Sequence, residues 1–255
     1  MRILITNDDG INAPGLAVMQ AIAAKFSDDV WTVAPETDQS GLAHSLTLNH
    51  PLRLREVAPK TFAVNGTPTD CVIMGVRQVV DGPVDLVLSG VNAGQNVGDY
   101  VTYSGTVAGA MEGVLLGIRS IALSQAFSFD SHRKVPWETV EAHGEAVIRS
   151  CLDLELPKDT LININFPNCG PDDVAGIAVS TQGKFEHGLG IGERADGRGL
   201  PYYWLEFIGE PPVNQPGTDI AALAENRIAV SPIRMDMTDH GTMDMMRDTL
   251  KDVSL

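Results

Sequence analysis

The sequence predicts an α/β protein with a Rossmann-like, mostly parallel sheet flanked by helices. Three observations carry this. Short β-rich runs alternate with stretches of helical periodicity. The first two strands are joined by a helix, and such a crossover makes them parallel. Polar, glycine-containing segments follow the predicted strands, at the edge where such sheets bind ligands. We read the 255 residues as one domain, whose 44% hydrophobic content supports a core without disulfide staples.

Arg2 to Thr6 is the first β-rich run, followed by the polar Asn7-Asp8-Asp9-Gly10. Leu16, Met19, Ile22, Ala23 and Phe26 then share a helical face, with Pro14 in the first turn, where a missing N–H loses no bond. Val30 to Ala34, closed by Pro35, completes the β-α-β unit. Ser45 to Arg55 and Thr61 to Val64 alternate weakly and predict a projecting hairpin. Thr67-Pro68-Thr69-Asp70 marks a helix start, with Thr67 as cap and Asp70 near the positive end.

A buried strand is expected to end at Ser89, before a long loop rich in glycine and amides. A helix follows from about Thr106, with Val107, Ala110, Met111, Val114, Leu115 and Ile118 at helical spacing. Gly109, Gly113 and Gly117 lie four apart on it; without a run of about 18 apolar residues they indicate close packing in a soluble core rather than a membrane. Ile121 to Ser124 is the next strand, Trp137 to Leu152 a helix, and Leu161 to Phe166 a strand ended by Pro167. Thr181 to Gly199 is glycine-rich and charged and reads as a loop or lid. Tyr202 to Phe207 and Ile228 to Ile233 are expected strands around a short helix capped by Thr218 or Asp219, and Asp244 to Val253 a terminal helix.

The formal net charge of −15 argues against nucleic-acid duplexes and anionic membranes as partners, since that binding needs Lys and Arg to neutralise phosphates. A small phosphorylated substrate would need a local positive feature, such as a metal ion or a helix N-terminus. Cys71, Cys151 and Cys169 are odd in number and scattered, which suits a reducing compartment. The N-terminus MRILITNDDG is neither signal peptide nor membrane span, so a cytoplasmic location is expected.

Asp8 and Asp9 follow the first strand directly, and adjacent acids repel. They serve either as cap and turn for the following helix or as ligands of a hard cation, for which oxygen donors suit Mg²⁺ or Mn²⁺. Ser40 and Asn92 also follow predicted strands of the same sheet, so carboxylate, hydroxyl and amide would meet at one edge. Such a site could hold a phosphate oxygen and activate water. The Ser104-Gly105-Thr106 turn adds N–H donors and a positive dipole end for the phosphate; the alternative is that Thr106 only caps its helix. No serine-hydrolase elbow or P-loop is present, and Gly90, Gly94 and Gly98 are too widely spaced for a dinucleotide fingerprint. The six histidines show no ligand or triad spacing; His143 reads as a helix-surface residue, and His187 is the one whose loop could reach the site.

Several separated motifs occur in one order: NDDG with Pro14-Gly15, AP-x4-SG at Ala34 to Gly41, GTPTDC at Gly66 to Cys71, and SGVNAGQNVGDYVTYSGTVAGAMEG from Ser89. PGTDIAAL and SPIRMDMTDH follow near the C-terminus. The sequence thereby resembles the SurE family (survival protein E), divalent-metal-dependent nucleoside monophosphate phosphatases. The resemblance implies one divalent ion per subunit, Mg²⁺ or Mn²⁺, held by Asp8, Asp9, Ser40 and Asn92, with Asn96 and the Ser104-Gly105-Thr106 turn near the phosphate. Asp8 and Asp9 would be the catalytic pair. It also implies 5'-nucleotidase activity, with 3'-nucleotidase and exopolyphosphatase activities beside it. Homodimers or homotetramers would form through C-terminal arms, so that residues 181–255 carry both lid and arm. Thr181 to Pro216 departs most from the family pattern.

The competing class is a Mg²⁺-dependent nucleotide-sensing or phospho-receiver-like regulatory module without turnover. A receiver needs an Asp at the end of a middle strand and a downstream Lys. Here DLVLSG ends in Ser89-Gly90, and no Lys occurs between Lys60 and Lys134.

Overall fold

The sheet is built around its first strand. In a computed structural model describing residues 1–128, 134–185, 189–207, 215–251 and 253, β1 (Ile3–Thr6) pairs in parallel with β2 (Val30–Pro35) on one side. Beyond β2 lie β4 (Thr61–Val64) and β3 (Leu54–Ala58). On its other side β1 pairs in parallel with β5 (Leu86–Ala93), followed by β6 (Arg119–Gln125) and β7 (Thr160–Phe166). β11 (Ile228–Arg234) runs antiparallel to β7, and β8 (Ile177–Val179) closes the edge. The order is β3-β4-β2-β1-β5-β6-β7-β11-β8, while β9 (Leu189–Ala195) and β10 (Pro201–Phe207) form a separate antiparallel hairpin. Chain direction across the sheet therefore reverses between β1 and β5, opening a crevice at their C-terminal ends.

Period-two alternation buries both faces of the central strands. Ile3, Ile5, Leu86 and Leu88 pack on α1 (Pro14–Ala23) and α4 (Trp137–Leu152), while Leu4, Val33 and Val87 face α2 (Pro68–Met74). α3 (Gly105–Leu115) lies beside α2, with Val107, Ala110 and Val114 against Ala122 and Leu161. The expected signals start the helices: Pro14 opens α1, and Thr67 with Asp70 forms a complete capping box on α2. Thr218 rather than Asp219 caps α5 (Asp219–Ala224).

Several boundaries differ from expectation. The strand expected to end at Ser89 continues to Ala93, because after a register break Asn92 and Ala93 pair again with Ser124 and Gln125. Gly90 (φ +131°) masks this continuity; a Cβ there would strike the Leu123 carbonyl. The hairpin strand expected from Ser45 begins only at Leu54, after Pro51, which has no N–H for a ladder. Part of the glycine-rich Thr181 to Gly199 stretch is strand β9, paired with β10. The terminal helix starts earlier than Asp244, as α6 (His240–Leu250), because the Asp239 carboxylate accepts from the Gly241 and Thr242 N–H groups. Residues 181–255 are also divided, since β11 belongs to the main sheet. No helix among the described residues is long and apolar enough to cross a membrane.

The sheet-facing glycines of α3 are Gly105, Gly109 and Gly113; Gly117 lies past the helix end at φ +78°. A Cβ on Gly109 would stand 2.7 Å from Ser89 Oγ and 2.9 Å from Thr6 Cγ2. Gly109→Ala should therefore overpack this contact and cost on the order of 1–3 kcal/mol, read from the urea midpoint. Unchanged stability would mean α3 is not held at this spacing.

Candidate active site

The crevice at the ends of β1 and β5 is where the polar residues converge. Asn7 is fully buried, and its side-chain amide donates to the Gly10 carbonyl at 3.0 Å, closing the turn after β1. Asp8 is 4% exposed and Asp9 half-buried. Neither caps α1, whose N-cap is Ala13 without a side-chain bond, so the cap reading of the acid pair does not hold. Instead the Thr106 hydroxyl donates to Asp8 Oδ1 at 2.5 Å, and the Ala93 N–H donates to Asp9 Oδ2 at 3.1 Å. One acid is thus tied to the start of α3 and the other to the end of β5.

Ser104 is the true cap of α3, its Oγ accepting from the Val107 N–H at 3.0 Å, which releases Thr106 from that role. Gly105 brings the helix start onto the acid: a Cβ there would lie 2.8 Å from Asp8 Cβ and 2.9 Å from Oδ2. Asn96 completes the group, donating from Nδ2 to Ser124 Oγ at 2.9 Å and to Thr106 Oγ1 at 3.4 Å. Asn92 donates to the Gly94 carbonyl at 2.8 Å, leaving its Oδ1 as a potential ligand next to the Asp9-bound Ala93. Ser40 comes to the same edge only through its backbone neighbour: the Gln39 N–H donates to the Asp8 carbonyl at 2.8 Å. The Ser40 side chain is exposed and bonds none of the others.

Three residues hold this loop in a role the sequence did not disclose. Asn163 and Asn165 of β7 are fully buried; both donate to the Asn96 carbonyl, and Asn165 Oδ1 accepts from its N–H at 2.7 Å. Their signal was present as two amides alternating with isoleucine in an otherwise apolar strand. Asp219, also fully buried, accepts from the Gly98 and Gly183 N–H groups at 2.8 Å each, joining the loop to the segment before β9. Three of the described histidines have partners other than Asp8 and Asp9: His44 contacts Glu112, His143 the Pro171 carbonyl and His240 Asp236. His132 and His187 lie outside the described residues.

Burial raises the pKa of Asp8, partly offset by its bond from Thr106. Burial, then the charge of Asp8, pushes Asp9 up to about 7, and Asp38 adds to the repulsion on both. Among the described residues neither Asp8 nor Asp9 forms an ion pair. Among the described residues no three His, Cys, Asp or Glu side chains gather in a metal-holding cluster, so a cation would draw on the Ser40 hydroxyl and Asn92 amide besides the two acids. Two repelling carboxylates without a basic partner, completed by neutral oxygen donors, fit a hard divalent cation.

An acid pair at a sheet's switch point, with a helix N-terminus set on one carboxylate, is an arrangement that suits a protein handling phosphate esters and divalent cations. The family model described as Survival protein SurE matches residues 3–188. The chain is 57% identical over 250 residues to the 5'-nucleotidase SurE of Allorhizobium ampelinum, covering 98% of each chain. It is 59% identical over 255 residues to that of Rhizobium meliloti, covering 100% of each. The crystal structure of the SurE protein from Aquifex aeolicus is similar at a TM-score of 0.84 and 35% identity, over 99% of this chain and 100% of that one. The chain belongs to the SurE family.

A carboxyl raised from 3.8 to about 7 keeps its proton in the folded state after the unfolded chain has released it. In that window the folded state binds more protons, so stability falls as pH rises from about 4 through 7. Metal-free protein should melt progressively lower across this range, and Asp9→Asn should flatten the slope. Added Mg²⁺ or Mn²⁺ should raise Tm more at pH 8 than at pH 5. Calorimetry across the range checks this, and equal pH slopes in wild type and Asp9→Asn would refute it.

Proposed function

We propose that this protein is a divalent-metal-dependent phosphomonoesterase that hydrolyses nucleoside monophosphates to nucleoside and phosphate. The observation that carries the reading is the contact of α3 with Asp8, through the Thr106 hydroxyl and the bare Gly105 backbone. It puts the positive end of a helix beside paired carboxylates, so anion and cation sites adjoin. The relatives named 5'-nucleotidase support the 5' position; 3'-nucleotidase and exopolyphosphatase activities belong to the same proposal. The three free cysteines fit a cytoplasmic setting.

In this reading Asp8, Asp9, Ser40 and Asn92 would hold one Mg²⁺ or Mn²⁺ per subunit, which when bound acts as a Lewis acid on the phosphoryl group. Thr106 fixes the orientation of Asp8. Asn96, on exchanging its 3.4 Å bond to Thr106, and the Ser104-Gly105-Thr106 turn would offer amide and N–H donors to phosphate oxygens. Asp9, the more exposed acid, is the one able to meet an attacking water as base or the phosphorus as nucleophile. A receiver-like module is disfavoured because β5 carries no acid from Leu86 to Ala93.

Asp8→Asn and Asp9→Asn should each abolish phosphate release while preserving the fold, since both substitutions keep an acceptor for the Thr106 or Ala93 bond. Thr106→Ala should lower kcat/KM by more than tenfold, about 1.4 kcal/mol of transition-state stabilisation, and Gly105→Val should weaken inhibition by vanadate. Release assays with nucleoside monophosphates, polyphosphate and an aryl phosphate at saturating Mn²⁺ check this. Near-wild-type turnover in Asp8→Asn would remove the acid pair from the reaction.

We further propose that the β9–β10 hairpin is the oligomerisation arm and that the protein is a homodimer or homotetramer. Ile191 is 70% and Leu205 72% exposed, beside exposed Tyr203 and Trp204. Burying such a surface against a second copy is favourable at roughly 25 cal/mol per Å² of apolar area before association costs. Removing the chain after Pro216 would take β11 out of the main sheet, so point changes are the cleaner test. Trp204→Glu with Leu205→Glu should yield monomer by light scattering; an unchanged oligomer would reject the arm.

A further inference from the structure

Behind the loop that carries Asn96 lies a pocket of about 230 Å³, lined among others by Gln95, Val97, Phe127, Asn168, Phe185 and Ile220. This is smaller than the roughly 300–1,000 Å³ of sites for drug-sized ligands, a size for one fragment of a substrate. Its chemistry is specific. Two phenyl side chains line it, and two exposed side-chain amides, Gln95 and Asn168, each offer both a donor and an acceptor. Flat heteroaromatic rings with polar edges are bound by this combination.

The pocket adjoins the candidate active site. Gly94 stands between them: a Cβ there would lie 3.5 Å from Phe127 Cε1 and 3.8 Å from Asn92 Nδ2. With no side chain at this residue, the cation-side amide and the aromatic wall are neighbours. Gln95 and Val97 line the pocket, while Asn96 between them reaches Thr106. One short loop thus serves both sites, as a substrate with a phosphate at one end and a ring at the other requires.

The pocket is also built before any ligand enters. Phe185 is stacked on Tyr100 at 4.0 Å with planes 8° apart, and its N–H donates to Asp99 Oδ1 at 3.1 Å. Asp219 ties Gly98 and Gly183 together at the start of α5, which supplies Ile220. We propose that this pocket receives the nucleobase of the substrate, with Phe127 and Phe185 as stacking faces and Gln95 and Asn168 reading the base edge. The assignment rests on the reading of the protein as a nucleoside monophosphatase.

Turnover of AMP and ribose 5-phosphate, which differ by the base alone, tests the pocket, together with calorimetric binding of adenosine, which carries no phosphate. Wild type should favour AMP in kcat/KM and bind adenosine. Phe127→Ala and Phe185→Ala should each lower the AMP to ribose 5-phosphate ratio about tenfold and weaken adenosine binding to match, within the range of base–aromatic stacking. Phe127→Leu keeps apolar volume without the ring and should lose the same preference if folding of the alanine variant is impaired. Gln95→Ala and Asn168→Ala, both at exposed positions, should change the ranking of AMP, GMP, CMP and UMP. Release from neither substrate by wild type would overturn the phosphatase reading, while adenosine binding would still report on the pocket. Equal turnover of both substrates, or a ratio and adenosine affinity unmoved by the phenylalanine variants, would overturn the base assignment.

Discussion

The approach of α3 to Asp8 is the constraint on which the rest of the site depends. A carboxylate buried at a strand end is costly unless hydrogen bonds and dipoles offset it. Here the Thr106 hydroxyl and the first turn of a helix provide that offset. The approach is possible only because residue 105 has no side chain, and it persists along the helix because Gly109 and Gly113 meet Ser89, Thr6, Ser120 and Val87 of the strands. Small residues on helix and sheet together set the depth at which the N-terminus of α3 sits. That depth determines whether its dipole faces the acid pair or solvent.

The loop between β5 and α3 must then close over this junction without a core of its own. It is held instead by a series of buried amides and carboxylates. Asn163 and Asn165 grip the backbone of Asn96, and Asp219 grips Gly98 together with Gly183. Buried polar groups of this kind are expensive singly and are stabilised by the bonds they share; among the described residues Asn163 Oδ1 alone of this group meets no partner. They come from β7 and α5, elements far along the chain, so the site has its rigidity only when the whole sheet is assembled. Placing the candidate site at the β1/β5 reversal accords with the same topology, since ligands of open α/β sheets bind at such a switch point.

Much of this was legible in the sequence because it is local. Pro14, the Thr67–Asp70 box and the period-two strands specify their elements through neighbours a few residues away, and the acid pair and the Ser104-Gly105-Thr106 turn are contiguous motifs. The illegible parts are those in which distant segments decide. Whether Ser104 or Thr106 capped α3 depended on Asp8, 98 residues away from Thr106, claiming the second hydroxyl. The extension of β5 past Gly90 depended on pairing with β6, and the strand character of 189–195 on pairing with β10. Asn163 and Asn165 bear no motif, and Asp219 stands in PGTDIAAL, where the sequence offers it only as a helix cap; the role of all three lies in the backbone groups they meet. Ser40 is the converse case: it carries a motif, yet its exposed side chain joins the site through Gln39 alone.

A chain with net charge −15 can still handle phosphate because its charges are distributed unequally in kind. Surface carboxylates are screened within about 10 Å at 0.1 M salt, so they oppose a small anion weakly at close range. Inside the crevice the interaction is screened much less and is set by a few fixed groups. The same repulsion that raises Asp9 to about 7 is what a divalent cation would relieve. Asp38 strengthens this bias by adding a third negative charge near the pair. In the proposed reading the acids would select for a cation first, and the helix end and Asn96 would offer the phosphate neutral donors beside it. An arginine in place of those donors would neutralise Asp8 directly and compete with the cation. Neutral donors on glycine-lined backbone therefore suit this site better than basic side chains, in keeping with the absence of an ion pair to either acid among the described residues.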